Sequence, residues 1–237
     1  MEQQVVLITG ASQGLGAELA RGYARQGAAL VLTARTAESL DAIQRELKAF
    51  SKIVAIAGDV ADDEHVHALI DTALEHFGRI DILINNASTL GASPMPALER
   101  LGPNTFRNIM EVNVRAPLHL AQHILLGMRA RAFGTIVNVT SDAAVVAYAG
   151  WGGYGASKAA LEHLTRVLAE EIAQSGVRVL LVDPGNMNTQ MHRDAEPGVD
   201  LCDLPHPKDV APAIIAAITG ARNPFERVEA QAVVARV

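Results

Sequence analysis

The segment Val5-Val6-Leu7-Ile8-Thr9-Gly10-Ala11-Ser12-Gln13-Gly14-Leu15-Gly16 passes from five β-forming residues straight into a turn with three glycines, and a helical pattern follows. A strand apolar on both faces suits a parallel sheet covered by helices on two sides. Glycines let the backbone turn tightly and approach a pyrophosphate, and the free N–H groups of the following helix favour its charge. Gly10, Ser12, Gln13, Gly14, Leu15 and Gly16 are therefore candidate dinucleotide contacts. Three residues separate the first two glycines, a looser spacing than G-x-G-x-x-G.

The same alternation continues along the chain. Strands are expected at 5–9, 29–33, 53–57, 81–85, 135–140 and 177–183, and helices at 17–26, 37–50, 62–77, 106–131 and 156–174. Gly27, Gly78 and Gly176 stand where helices should stop. This βαβα order implies an α/β fold, a doubly wound parallel sheet with right-handed crossovers. There is no repeat, low-complexity tract or long linker, so residues 1–237 read as one domain. Loops at 91–103 and 184–207 are expected to wall a site beyond the carboxyl ends of the strands.

Composition narrows the function classes. Apolar residues make up 49% of 237 and charged residues 19%, which argues against disorder. A net charge of -6 without a basic block argues against a nucleic-acid partner. The single cysteine, Cys202, cannot form an internal disulfide, and the Met-Glu-Gln-Gln start lacks a basic n-region. No apolar run is long enough to cross a membrane. A cytoplasmic protein is expected.

Where dinucleotide folds commonly place an acid for the adenosine ribose, this chain has Leu32-Thr33-Ala34-Arg35-Thr36. A guanidinium suits a 2′-phosphate, so Arg35 predicts NADP(H) over NAD(H); the competing reading is a plain surface arginine. Asp59-Val60 either faces the adenine or, through Asp59, caps the next helix. Asn86, Ala87 and Ser88 form a small polar turn able to lie against a ribose.

Tyr154 and Lys158 share one helical face in Tyr-Gly-Ala-Ser-Lys. Ser141 follows a strand at the expected site edge, and Asn113 interrupts a helical segment it does not favour. Carbonyl reduction needs a hydride on carbon and a proton on oxygen. A cation about 5 Å from a phenol contributes roughly 3 kcal/mol at an effective dielectric near 20. Lowering the phenol pKa by about three units takes roughly 4 kcal/mol, and an oxidised nicotinamide can add the remainder. Ser141 is then the donor to substrate oxygen, and Asn113 the holder of a water linking Lys158 to solvent.

These ordered motifs resemble the short-chain dehydrogenase/reductase family over nearly the whole chain: Thr9-Gly10-x-x-x-Gly14-x-Gly16, Asp59-Val60, Asn85-Asn86-Ala87, Asn113, Ser141, Tyr154-x-x-x-Lys158 and Pro184-Gly185. The resemblance implies a Rossmann-type sheet of about seven strands with helices on both faces. It implies Asn113, Ser141, Tyr154 and Lys158 as the catalytic set, with Lys158 and Tyr154 also at the nicotinamide ribose. Pro184, Gly185, Met187 and Thr189 would lie on the carboxamide side. Ser88 stands where the family commonly has Gly. The segment from Arg227 to Val237 lacks the Gly-rich ending of the fatty-acid ketoacyl reductases.

Residues 143–153, with Trp151, and the loop bearing Met187, Met191 and His192 are expected to shape a pocket for a small carbonyl or alcohol substrate; plain loop packing is the competing reading for each of these side chains. Segment 186–207, short in helix signals, is expected to be a lid. No metal is expected: His65 and His67 fall on different helical faces, and His119 and His123 lack a third ligand nearby in sequence. Alanine- and leucine-rich helices imply a homodimer or homotetramer. The competing reading is a sensor or scaffold that binds NADP(H) without chemistry. A nucleotide-sugar epimerase or dehydratase would need a further domain.

Overall fold

A computed structural model describes residues 3–234; Met1 and Glu2 of the start, and 235–237 of the C-terminal segment, lie outside the described residues. Strands β1 (Val5–Thr9), β2 (Ala29–Ala34), β3 (Ile53–Ala57), β4 (Ile82–Asn85), β5 (Gly134–Val139), β6 (Val177–Asp183) and β7 (Phe225–Glu229) form one sheet in the order β3-β2-β1-β4-β5-β6-β7. Every neighbouring pair is parallel. The order reverses between β1 and β4, so a crevice opens beyond their carboxyl ends.

Alternating side chains feed two cores. Val6, Ile8, Leu30, Leu32, Ile84 and Val182 face one way, packed with α1 (Gly14–Arg25), α2 (Ala37–Leu47) and α8 (Pro207–Gly220). Val5, Leu7, Val31, Leu83, Ile136 and Val179 face the other, against α3 (Asp63–Phe77), α5 (Ala116–Ala130) and α6 (Gly152–Ile172). The period of two therefore explains why both faces needed apolar residues. Gly78 caps α3 with φ 71, and Gly27 and Gly176 also carry positive φ, as expected of glycines that stop helices.

The expected helix at 106–131 is three pieces. Helix α4 (Pro103–Met110) starts with Pro at its first position, a π-helical turn spans Glu111–Arg115, and α5 continues. Segment 186–207 is not without helix: α7 (Gln190–Ala195) forms because Thr189 caps His192 N–H and Gln190–Asp194 and His192–Glu196 pair at i,i+4. Among the described residues, α8 and the edge strand β7 also lie outside the elements read from the sequence. The latter, Phe-Glu-Arg-Val-Glu, has too many charges to read as a strand. A short helix, α9 (Ala230–Val234), follows.

Candidate active site

The glycine turn is built by backbone contact. Gly10 and Gly14 have φ of 65 and 55, open to glycine at little cost. A Cβ on Gly16 would lie 2.2 Å from the Gly10 carbonyl oxygen, so that glycine lets the helix close onto the strand. A Cβ on Gly14 would meet only the Thr189 methyl at 3.9 Å; its face opens into the cleft, a cradle that a side chain would fill. Helix α1 has no side-chain cap and no acid in its first turn, leaving its N–H groups available to an anion. Thr9 ties the turn to the neighbouring strand: its hydroxyl accepts from the N–H groups of Asn86 and Ala87, both at 3.0 Å. Asn86 Nδ2 in turn donates to the carbonyls of Thr9 (2.9 Å) and Gly10 (3.2 Å).

At the far end of this cleft of about 710 Å³, Arg35, Thr36, Ser39, Asp59 and Val60 line the wall. Arg35 is exposed and makes no hydrogen bond or ion pair with other described residues, so its guanidinium is available to a ligand. Asp59 is not the cap of α3. It accepts from Ala61 N–H at 2.9 Å, whereas Asp62 is the N-cap, accepting from Glu64 N–H at 3.0 Å. Buried His65 bonds Thr33 Oγ1 through Nε2 at 2.8 Å, and burial holds its imidazole below the ordinary value.

At the other end, Ser141 follows β5, and Tyr154 and Lys158 rise from the first turns of α6; all three line the same cleft as Gly10 and Gly14. Lys158 Nζ lies 5.4 Å from the Tyr154 ring centroid and donates to the Val139 carbonyl at 2.9 Å. The expectation of a phenol made acidic by this ammonium is not what the protein alone provides. Burial pushes Tyr154 up to about 12, with the Ser88 and Ser141 hydroxyls acting in the opposite sense. Burial also lowers Lys158 to about 8, offset in part by Asp183. In both cases the leading cause is desolvation, which disfavours the charged form.

Asn113 also differs from expectation. Its Oδ1 accepts from Ser88 Oγ (3.1 Å) and Thr89 N–H (2.8 Å), and its Nδ2 donates to the Thr89 carbonyl and Ser157 Oγ, both at 2.9 Å. All four positions of the amide are taken by protein partners, so a relay water at the side chain would have to displace one of them. One of those partners, Ser157 Oγ, donates to the Tyr154 carbonyl at 2.6 Å, linking the π-helical turn to the start of α6.

Sequence reasoning missed a buried charge network behind the site. Glu162 accepts from Thr140 Oγ1 (3.0 Å) and pairs with Arg166 (2.5 Å) and Arg227 (3.3 Å). Arg227 also reaches Asp183 at 3.4 Å, whose other oxygen accepts from Gly185 N–H at 2.9 Å. Glu162, four residues after Lys158, was detectable by helical spacing; Arg227 comes from β7 and had no local signal. Asp142 was missed too: it accepts from Ser141 Oγ (2.9 Å) and Tyr148 OH (2.7 Å). Ser12, Gln13, Leu15, Asn86, Ala87, Ser88, Pro184, Gly185, Met187 and Thr189 all line the cleft, as do Trp151, Met191 and His192. Gly16 does not line it, and Asn113 sits behind the wall. The histidines His67, His119 and His123 gather outside the cleft, with one ring nitrogen of each within 4.8 Å of the others.

The whole chain can now be set beside known proteins. The short chain dehydrogenase family pattern matches residues 4–200, and the chain belongs to that family. It is 36% identical over 190 residues to the cis-4-hydroxycyclohexanecarboxylate dehydrogenase of Sinomonas cyclohexanicum, covering 80% of this chain and 75% of that one. It is 36% identical over 192 residues to the 2-(R)-hydroxypropyl-CoM dehydrogenase of Xanthobacter autotrophicus, covering 79% and 76%. Among solved structures, a metagenomic short-chain oxidoreductase in complex with NADP superposes with TM-score 0.80 at 32% identity, covering 95% of this chain and 96% of that one. The protein is thus an oxidoreductase of this family with a Rossmann-type fold, and no helix among the described residues is long and apolar enough to cross a membrane.

Proposed function

We propose that the protein is an NADP(H)-dependent oxidoreductase that interconverts a small carbonyl compound and its alcohol, with Tyr154 as the proton-transfer group. The observation that carries this is the convergence of Ser141, Tyr154 and Lys158 on the same cleft as the open face of Gly14. The dinucleotide would lie with its pyrophosphate at the N-terminus of α1, its adenosine phosphate at Arg35 and its nicotinamide end near Lys158, Pro184, Gly185 and Thr189. When bound, it supplies the hydride and, in its oxidised form, a positive charge. The NADP complex of the metagenomic relative supports this choice of cofactor.

The residues then divide the work. In reduction, Tyr154 gives its proton to the substrate oxygen as the hydride reaches carbon; with its pKa near 12, the phenol is fully protonated at neutral pH. Ser141 must exchange its bond to Asp142 for one to that oxygen. Asn113 holds Tyr154 in place through Ser157. Trp151, edge-on to Tyr154 with ring centroids 5.8 Å apart, and Met191 form the apolar part of the substrate wall. One domain performs all of this, and the exposed lone Cys202 accords with a reducing, cytoplasmic setting.

The test is NADPH oxidation by purified protein against a panel of cyclic and acyclic ketones, aldehydes, quinones and thioesters. Turnover of at least one class, faster with NADPH than NADH, is expected. Tight NADPH binding with no turnover on the whole panel would instead identify a cofactor sensor.

A further inference from the structure

The cleft leaves one cluster of coordinating side chains unused. His67 projects from α3, and His119 and His123 from successive turns of α5. Their imidazoles offer one nitrogen each, all within 4.8 Å of one another. His119 Nε2 and His123 Nε2 are 2.8 Å apart, and the His67 ring stands edge-on to both, with centroids at 5.7 and 4.7 Å. A third ligand, missing from the sequence around His119 and His123, is supplied by the packing of α3 on α5.

We propose that His67, His119 and His123 form a surface site for a divalent first-row transition ion of the zinc type, clamping α3 to α5. Three imidazoles suit such an ion, with metal–nitrogen bonds of roughly 2.0–2.1 Å. In tetrahedral geometry those bonds put the nitrogens about 3.3 Å apart, a value lying between the 2.8 Å of the closest pair and the 4.8 Å limit of the set. His119 Nδ1 is buried, lacks a well-formed hydrogen bond and lies 3.2 Å from Asp63 Oδ1. A carboxylate behind a ligating imidazole orients the ring and raises its basicity, so Asp63 is a positioning residue for His119 Nε2. Arg115 is the nearby cation, and its charge is met by Asp63 at 2.6 Å and by Glu111. His67 and His123 are exposed, which leaves a path for the ion and room for water as a fourth ligand.

The experiment uses the full-length, tag-free protein stripped with a chelator, titrated with Zn²⁺ by calorimetry and with Co²⁺ by visible absorption. One ion per chain, a tetrahedral Co²⁺ spectrum and a Zn²⁺-dependent rise in melting temperature are expected. His67→Gln, His119→Gln and His123→Gln should each weaken binding at least tenfold and remove the spectrum. Asp63→Asn should weaken binding roughly 10–100-fold without abolishing it. The exposed His163→Gln should bind as the wild type does. Each metal-free variant should keep the wild-type melting temperature and NADPH affinity, which separates lost ligation from misfolding. Absence of saturable binding, or undiminished binding in the three histidine variants, overturns the proposal.

Discussion

Lys158 has only 2% of its surface exposed, and burial brings its pKa to about 8, within the range where enzymes are assayed. Its charge is present below that value and lost as pH rises through it. If that charge assists proton transfer, kcat/KM for NADPH-dependent reduction is flat from pH 6 to about 8 and falls above it. Lys158→Arg, which keeps its charge, should move the fall to higher pH at a reduced rate; a fall unchanged in that variant assigns it to another group. Arg35 makes its contribution at the opposite end of the cleft. Arg35→Ala should raise KM for NADPH on the order of tenfold or more, from loss of a charge-assisted bond worth about 1.5–3 kcal/mol, and leave NADH kinetics nearly unchanged. Wild-type preference for NADH would refute this assignment.

The strand–turn–helix unit from β1 to α1 separates two uses of glycine. Gly16→Ala would drive a Cβ into the Gly10 carbonyl and should cost several kcal/mol or prevent folding. Gly14→Ala meets no atom closer than 3.9 Å, so its folding cost should stay near the roughly 1 kcal/mol of a positive φ, while NADPH affinity falls sharply. Melting curves with and without NADPH distinguish the two; equal loss of stability in both would mean that Gly14 is structural. The glycine turn and the Tyr154–Lys158 pair were legible because each is local, a spacing on one strand end or one helix face. The π-helical turn at Glu111–Arg115 was not, since a single i+5 turn leaves no periodic signature, and only Asn113 as a misplaced helix residue hinted at it. Asn113's side-chain partners, Ser88, Thr89 and Ser157, come from other elements, so no local spacing announced them.

Across the whole molecule, the parallel order and both cores were written in six apolar strands, while β7 was hidden by Glu226, Arg227 and Glu229. Those same charges carry Arg227 to Glu162 and Asp183, so the element least visible in sequence supports the floor of the site. The burial that raises Tyr154 and lowers Lys158 is likewise a property of the assembled fold, and no short window reveals it. On the outer layer, Leu126 of α5 is 78% exposed and Val167 of α6 is 41% exposed, apolar surface expected to be covered in a homo-oligomer. Light scattering should show a dimer or tetramer at micromolar concentration, and Leu126→Asp should lower the mass. A monomeric wild type contradicts that expectation.

The central claim is that hydride and proton meet at one place, beside the Tyr154 hydroxyl. It is tested most directly by following deuterium from C4-labelled NADPH into the product of a turned-over ketone, in wild type and in Tyr154→Phe. Label on the new carbinol carbon is expected in the wild type, with a rate lower by roughly 10²–10⁴ in the variant and NADPH affinity preserved. Label transfer at an undiminished rate in Tyr154→Phe would contradict it.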